Sequence, residues 1–241
     1  MNPDFPAVIA ASDAERRDLF LGTAARLGTA VQNIEKDFWV CWTLDALFNG
    51  LTAGGPRLLF KGGTSLSKAF GLISRFSEDI DITVFRDDLG QKADVAELDA
   101  LSGKKRRARL DAIRMACQRY IAGPLFEQFN QLAASIIPTA RYRLKIDPED
   151  KDGQTLLFWY PAVTASVGDY IRSAVKIESG AKSALDPHIA TAIHPYVAED
   201  VSGLNLQVAN ITTVKPERTF WYKVIILHGL RQWHDRRNQL R

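Results

Sequence analysis

Lys61-Gly62-Gly63-Thr64-Ser65-Leu66-Ser67-Lys68, followed by Arg75-Phe76-Ser77-Glu78-Asp79-Ile80-Asp81-Ile82, is the stretch from which the rest of the chain is read. Leu58-Leu59-Phe60 ahead of it is a short apolar run. The paired glycines break that run, a helical pattern resumes over Thr64 to Phe70, and a second strand is expected from Ile80 to Phe85. Residues 57–85 thus read as strand, Gly-rich turn, helix, strand. Asp79 and Asp81 stand two apart where the second strand begins, so their carboxylates share one face while Ile80, Ile82 and Val84 point into the core. Two carboxylates roughly 6–7 Å apart along a strand repel, and each pKa rises unless a cation lies between them. A hard divalent ion, Mg²⁺ or Mn²⁺, held by these carboxylates and by phosphate oxygens of a substrate, removes the conflict. The Gly62-Gly63 turn is the complementary half. Glycine lets the backbone approach a phosphate, and the start of the following helix offers free N–H groups.

Outward from this stretch the pattern is α+β. Ser12 and Glu15 form a capping box that opens a helix to about Leu27. Ile34, Phe38, Cys41, Trp42 and Phe48 recur at helical spacing before Asn49-Gly50 stops a second helix. Residues 94–134 read as a helical insertion, interrupted at Gly123-Pro124. Short β-like runs follow at 136–146, 155–160, 170–178 and 204–211, and Pro216 opens a last helix to about Trp233. The expectation is one nucleus of two strand blocks, 57–85 and 136–211, flanked by N-terminal helices over 12–48. The whole of 1–241 is read as a single domain.

The composition narrows the function classes. The chain has 241 residues, 46% of them hydrophobic, and a net charge of +3. That excludes a disordered chain or a disulfide scaffold, and no apolar run approaches the ~18 residues that span a bilayer. No secretory signal opens the sequence, and two cysteines in apolar patterns fit a reducing, cytoplasmic setting. The charge is uneven. Residues 102–119 carry Lys104, Lys105, Arg106, Arg107, Arg109, Arg114 and Arg119 against Asp111 alone, and the segment after Pro216 is also basic, so the remainder is net acidic. Such a run reads either as a solvated helix face or as a surface that steers a polyanion such as RNA. Glu35-Lys36-Asp37 reads as a solvated helix stretch, and His188, His194, His228 and His234 lack ligand spacing.

A phosphate-cradling glycine turn, one helix and two carboxylates on one strand face is the arrangement of the polymerase-β-type nucleotidyltransferases. Lys61-Gly62-Gly63-Thr64-Ser65-Leu66 and Arg75-x-Ser77-x-Asp79-x-Asp81 resemble, more closely, the signature of the AbiEii/AbiGii toxin family of abortive-infection and toxin–antitoxin systems. Val175-Lys176-Ile177-Glu178 resembles a later strand of that family, and Pro216-Glu217-Arg218-Thr219-Phe220-Trp221-Tyr222-Lys223 the helix that brings a lysine to its site. The resemblance implies an NTP donor, a divalent metal, an RNA acceptor (the tRNA 3′ end among them) and a neighbouring antitoxin, often a transcriptional regulator. It implies Asp79, Asp81 and Lys223 as catalytic residues, with Glu178 a third metal carboxylate beside Asp79 and Asp81. Lys61, Gly62, Gly63, Thr64, Ser65, Ser77 and Lys176 are implied around the nucleotide, and Ser77 as a point of inhibitory phosphorylation. Tyr222 stands where the family has Glu, and no Tyr-Asp follows Lys223, which leads to the expectation that the chain is truncated after Arg241. The alternative is a catalytically idle module of the same fold that binds nucleotide, RNA or the regulator.

Overall fold

A computed structural model describes residues 1–74, 79–165 and 172–239. Seven strands form one mixed sheet in the order β3-β4-β5-β2-β1-β7-β6. They are β1 (Leu58–Lys61), β2 (Asp79–Val84), β3 (Arg143–Ile146), β4 (Thr155–Trp159), β5 (Ala174–Gly180), β6 (His188–Ile193) and β7 (Val208–Val214). At the centre, β1 and β2 are antiparallel neighbours, while β2 pairs in parallel with β5 and β1 with β7. The two blocks of strands seen in the sequence are therefore interleaved into a single layer.

Strand alternation sorts this layer into two faces. Leu58, Phe60, Ile80, Ile82, Val84, Leu156, Phe158, Val175 and Ile177 belong to the main buried cluster. There they meet helix α3 (Val31–Asp45), whose Phe38, Trp39 and Trp42 are fully buried. Trp42 lies 5.3 Å from Phe158 and 5.7 Å from Phe129 between ring centroids. Each such side chain removed from water stabilises the fold by about 1.5–3 kcal/mol. The opposite face carries Leu59, Lys61, Asp79, Asp81, Lys176 and Glu178 and is covered differently. The chain leaves β5 and crosses in front of β2, β1 and β7 to reach β6 at the far edge. Leu185 on this crossover packs on Leu59, Phe85 and Val214, a second, smaller apolar cluster.

The helices flanking the sheet are α1 (Phe5–Ala10), α2 (Asp13–Leu27), α3, and a seven-residue α4 (Gly62–Lys68) that follows β1 without a break. Then come α5 (Val95–Ala100), α6 (Gly103–Tyr120), α7 (Phe126–Ile136) and α8 (Pro216–Gln239). The Ser12/Glu15 capping box is present at α2. At Gly123-Pro124 the chain does not leave the helical path; a π-turn over Ile121–Leu125 joins α6 directly to α7. The stretch expected as a strand over 136–146 begins as the end of α7, and only Arg143–Ile146 is extended. Helix α1 and edge strand β6 were not expected. Strand β6 has the burial pattern of a sheet edge, with only Ile193 fully buried, so it lacks the apolar alternation that marks an inner strand.

The reading of Glu35-Lys36-Asp37 as a solvated stretch is corrected: all three are at most 3% exposed. Helix α3 is packed on every side, so its charges are buried and must be paired. Glu35 accepts hydrogen bonds from the backbone N–H groups of Val163 (2.7 Å) and Thr164 (3.0 Å) and from the Thr164 hydroxyl. Asp37 accepts from the Tyr196 N–H at 2.7 Å and pairs with Lys68 of α4 at 2.6 Å. Lys68 in turn lies 3.9 Å from the centre of the Tyr196 ring. The helix that follows the Gly-Gly turn is thereby tied to the centre of the core.

Candidate active site

The site begins with the register of three central strands. Lys61 is opposite Asp81, Asp81 is opposite Glu178, and Asp79 is opposite Lys176. Two acids on β2 are thus flanked by a cation on β1 and by a cation and an acid on β5, all on the face away from the main core. Lys61 Nζ lies 3.9 Å from Asp81 Oδ1. Lys176 Nζ lies 2.6 Å from Glu178 Oε1 and 4.0 Å from Asp147 Oδ2. The Glu178 contact, with burial opposing it, holds the Lys176 ammonium above the usual lysine range, helped by Asp79 and Asp147. The Asp81 carboxyl is raised. Burial is the main cause, Lys61 opposes it, Glu178 adds to it, and Lys223 and Lys176 pull it back.

A cavity of about 320 Å³ opens over this face, walled by Lys61, Gly62, Asp81, Lys182, Arg218 and Lys223 among others. A second, of about 220 Å³, shares Lys61, Asp81 and Lys182 and extends to Glu178 and Gln154. Lys223 reaches the first cavity from α8 together with Arg218, Thr219 and Tyr222. The same helix leaves Phe220, Trp221, Ile225 and Leu227 exposed.

The Gly-Gly turn is adapted to this carboxylate. Gly62 has φ +81°, and a Cβ placed on it would lie 2.0 Å from Asp81 Oδ2 and 2.6 Å from its Cγ. The demand for glycine therefore falls on Gly62; Gly63 has no positive φ and is the second residue of α4. Gly62→Ala is expected to strain the turn by about 1–3 kcal/mol and to push the Asp81 carboxylate out of place. Calorimetric titration of NTP with Mg²⁺ should show weakened binding in a variant that melts as a folded protein; wild-type affinity would show that the turn does not set the carboxylate.

Thr64 and Ser65 are buried. The Thr64 hydroxyl donates to the Asp79 carbonyl oxygen, and the Ser65 hydroxyl donates to the Gly62 carbonyl oxygen at 2.9 Å. The Thr64 hydroxyl fastens the turn to the first residue of β2, and the Ser65 hydroxyl closes the turn on itself. At this turn the groups suited to a phosphate are backbone N–H groups and the neighbouring Lys61, not the two hydroxyls. Ser77 and Arg75 lie outside the described residues.

The donor set fits a hard cation. Asp79 and Asp81 share one face of β2, Asp81 lies in the wall of the cation-lined cavity, and neither His nor Cys stands with them, as would suit Mg²⁺ held by one or two carboxylates and substrate phosphates. Glu178 is engaged by Lys176, and no cluster of three His, Cys, Asp or Glu residues in metal-binding geometry occurs among the described residues. The expected third-carboxylate role of Glu178 therefore has no such geometric support here. Sequence reasoning missed Lys182 and Arg218. Lys182 sits on the crossover after β5, and only the sheet order brings it to the face of β2. Arg218 lies in the same segment as Lys223, and its spacing of five from that residue did not single it out.

The mixed sheet thus sets two acids beside a Gly-Gly turn, with Lys61, Lys182, Arg218 and Lys223 around the cavity that Asp81 lines. The sequence profile of the AbiEii nucleotidyltransferase toxins of type IV toxin–antitoxin systems matches residues 45–241, and the chain belongs to that family. Among solved structures, it is similar to MenT4, a nucleotidyltransferase toxin from Mycobacterium tuberculosis H37Rv, with 16% identity and a TM-score of 0.42. The match covers 83% of this chain and 56% of that one, so the chain spans little more than half the length of that toxin. No curated protein matches the sequence. No described helix is long and apolar enough to cross a membrane.

Proposed function

We propose that this chain is a metal-dependent nucleotidyltransferase toxin that moves an NMP from an NTP to a hydroxyl of an RNA acceptor, the tRNA 3′ end being one candidate, and so blocks growth or phage propagation. The observation that carries this reading is the pairing of Asp79 and Asp81 on one face of β2, with Gly62 packed against Asp81 and Lys61 opposite it.

Asp79 and Asp81 would hold the cation, Mg²⁺ or Mn²⁺. When bound, that ion supplies charge neutralisation for the triphosphate and for the oxygens that gain charge at the α-phosphorus. Lys61, Arg218 and Lys223 line the same cavity and offset the negative charge of the phosphates. Lys223 would balance charge on the departing or transferring phosphate. Lys176 neutralises Glu178 beside the pair and so limits the repulsion that a third acid would add. Attack by the acceptor hydroxyl in line with the leaving pyrophosphate then needs positioning more than covalent help from the protein. Family membership supports a cognate antitoxin as partner, encoded nearby and expected to be a regulator of transcription.

The test is incubation of the purified protein with each labelled NTP, Mg²⁺ and total RNA, followed by gel analysis. Label appearing in an RNA band, lost on chelation, is the expected result. No transfer with any of the four NTPs, in a protein shown to bind nucleotide, would favour the catalytically idle binding module.

A further inference from the structure

Helix α6 opens on Lys104, Lys105, Arg106 and Arg107, all exposed. Four cations in the first turns of a helix of 18 residues repel one another and also oppose the positive end of the helix dipole. Of these four only Arg106 makes a close ion pair among the described residues, with Asp99 at 3.4 Å, and the Ser102 side chain makes no cap. An arrangement this unfavourable by itself is relieved by an anion. The cations also border something. Lys104, Arg106 and Arg107 line a groove of about 670 Å³ whose far side is Lys182 of the crossover, with Asp111 its one acid. Lys182 is a shared wall: it also lines both cavities that contain Asp81. A cationic groove therefore leads, through one lysine, to the Asp81 carboxylate of β2.

We infer that this groove is the path of the acceptor strand, a single-stranded RNA whose phosphodiesters lie along Lys104, Arg106 and Arg107 and whose end passes Lys182 to reach Asp81. This rests on the proposed transfer to RNA and assigns the surface that does it. The volume of the groove exceeds what one phosphate group fills, and a mixture of Lys and Arg on an exposed helix suits a repeating phosphate chain. Lys105 is exposed on the same turn but is not part of the groove wall. It is the internal control, because a general attraction by net charge would treat it like its neighbours.

The experiment measures the affinity of the full chain for a short 5′-fluorescein-labelled single-stranded RNA by anisotropy across a salt series. Lys104→Ala/Arg107→Ala and Lys182→Ala are compared with Lys105→Ala. The groove variants should bind roughly tenfold or more weakly at low salt, and the log–log salt slope should shrink by about 0.7 for each phosphate that is no longer neutralised. Lys105→Ala should stay close to wild type, and Lys104→Ala/Arg107→Ala should keep NTP binding unchanged by calorimetry. With 4-thiouridine in the RNA, a terminal nucleotide should crosslink to the peptide containing Lys182 and an internal one to that containing Lys104. Wild-type RNA affinity and parallel slopes in both groove variants would overturn the path and leave transfer to RNA standing. Equal losses in all three variants would reduce the groove to a diffuse basic surface and overturn the path. A wild-type chain that binds polyglutamate but not RNA would overturn both the path and the RNA acceptor.

Discussion

Asp79→Asn and Asp81→Asn are each expected to abolish nucleotidyl transfer without unfolding the protein. Asparagine keeps the shape of the side chain but cannot supply a carboxylate to a divalent cation. Losing one of two such ligands should slow transfer by about 10³-fold or more, on the order of 4 kcal/mol in activation free energy. The fold should not suffer, because the apolar residues of β2 point the other way, into the cluster around α3. For Asp81 the expectation is sharper. Burial, with Glu178 on the next strand, raises its carboxyl against the pull of Lys61, Lys223 and Lys176. The folded chain then binds this proton more tightly than the unfolded chain, so the ionised carboxylate detracts from stability at neutral pH. That penalty disappears as pH falls through the raised pKa. With chelator present, Asp81→Asn should therefore melt at or above the wild-type temperature at pH 7, and the difference should shrink on acidification. Wild-type labelling by either folded variant would remove the carboxylates from the chemistry, and a large loss of thermal stability in Asp81→Asn would contradict the electrostatic account.

The second large effect is on stability. Asp37→Ala should cost about 3–5 kcal/mol, because it leaves the Lys68 ammonium without its partner in the core. The side chains of this pair are 3% and 7% exposed. Burial alone would lower the Lys68 pKa, but Asp37 holds it well above the ordinary lysine value. A lysine raised in this way contributes its stability below its unfolded pKa and loses it only as pH rises through the folded one, so the cost should be constant from about pH 6 to 9. Asp37 also accepts the Tyr196 N–H, which loses its partner in the same variant. Chemical denaturation measures the loss directly. Asp37→Ala/Lys68→Met should recover a good part of it, since the double change removes the uncompensated charge. A single-variant loss under about 1 kcal/mol, far below the cost of an unpaired buried charge, would mean that water reaches Lys68.

The residues around Gly62 determined much of this protein by themselves. An apolar run, two glycines, a short helix and alternating Asp-Ile-Asp-Ile are local signals, since turn chemistry and the two-residue period of a strand act over a few neighbours. They were enough to place β1, α4 and β2, and the motif was enough to point to the family. The capping box at Ser12 and the exposed basic turn at Lys104 were legible for the same reason. Three features belonged to the tertiary structure alone. The burial of Glu35, Lys36 and Asp37 depends on what packs around α3, and a helix enclosed on all sides hides charges that a helical period would place in water. The glycine requirement at Gly62 rather than Gly63 arises from Asp81 on the neighbouring strand, a contact made across the sheet. The position of Lys182 depends on strand order: only because β5 and β6 are separated by β2, β1 and β7 must the crossover pass over the face that carries Asp81. Periodicity and turn signals describe a segment and its immediate neighbours, whereas strand order and enclosure are set by burial summed over the whole chain.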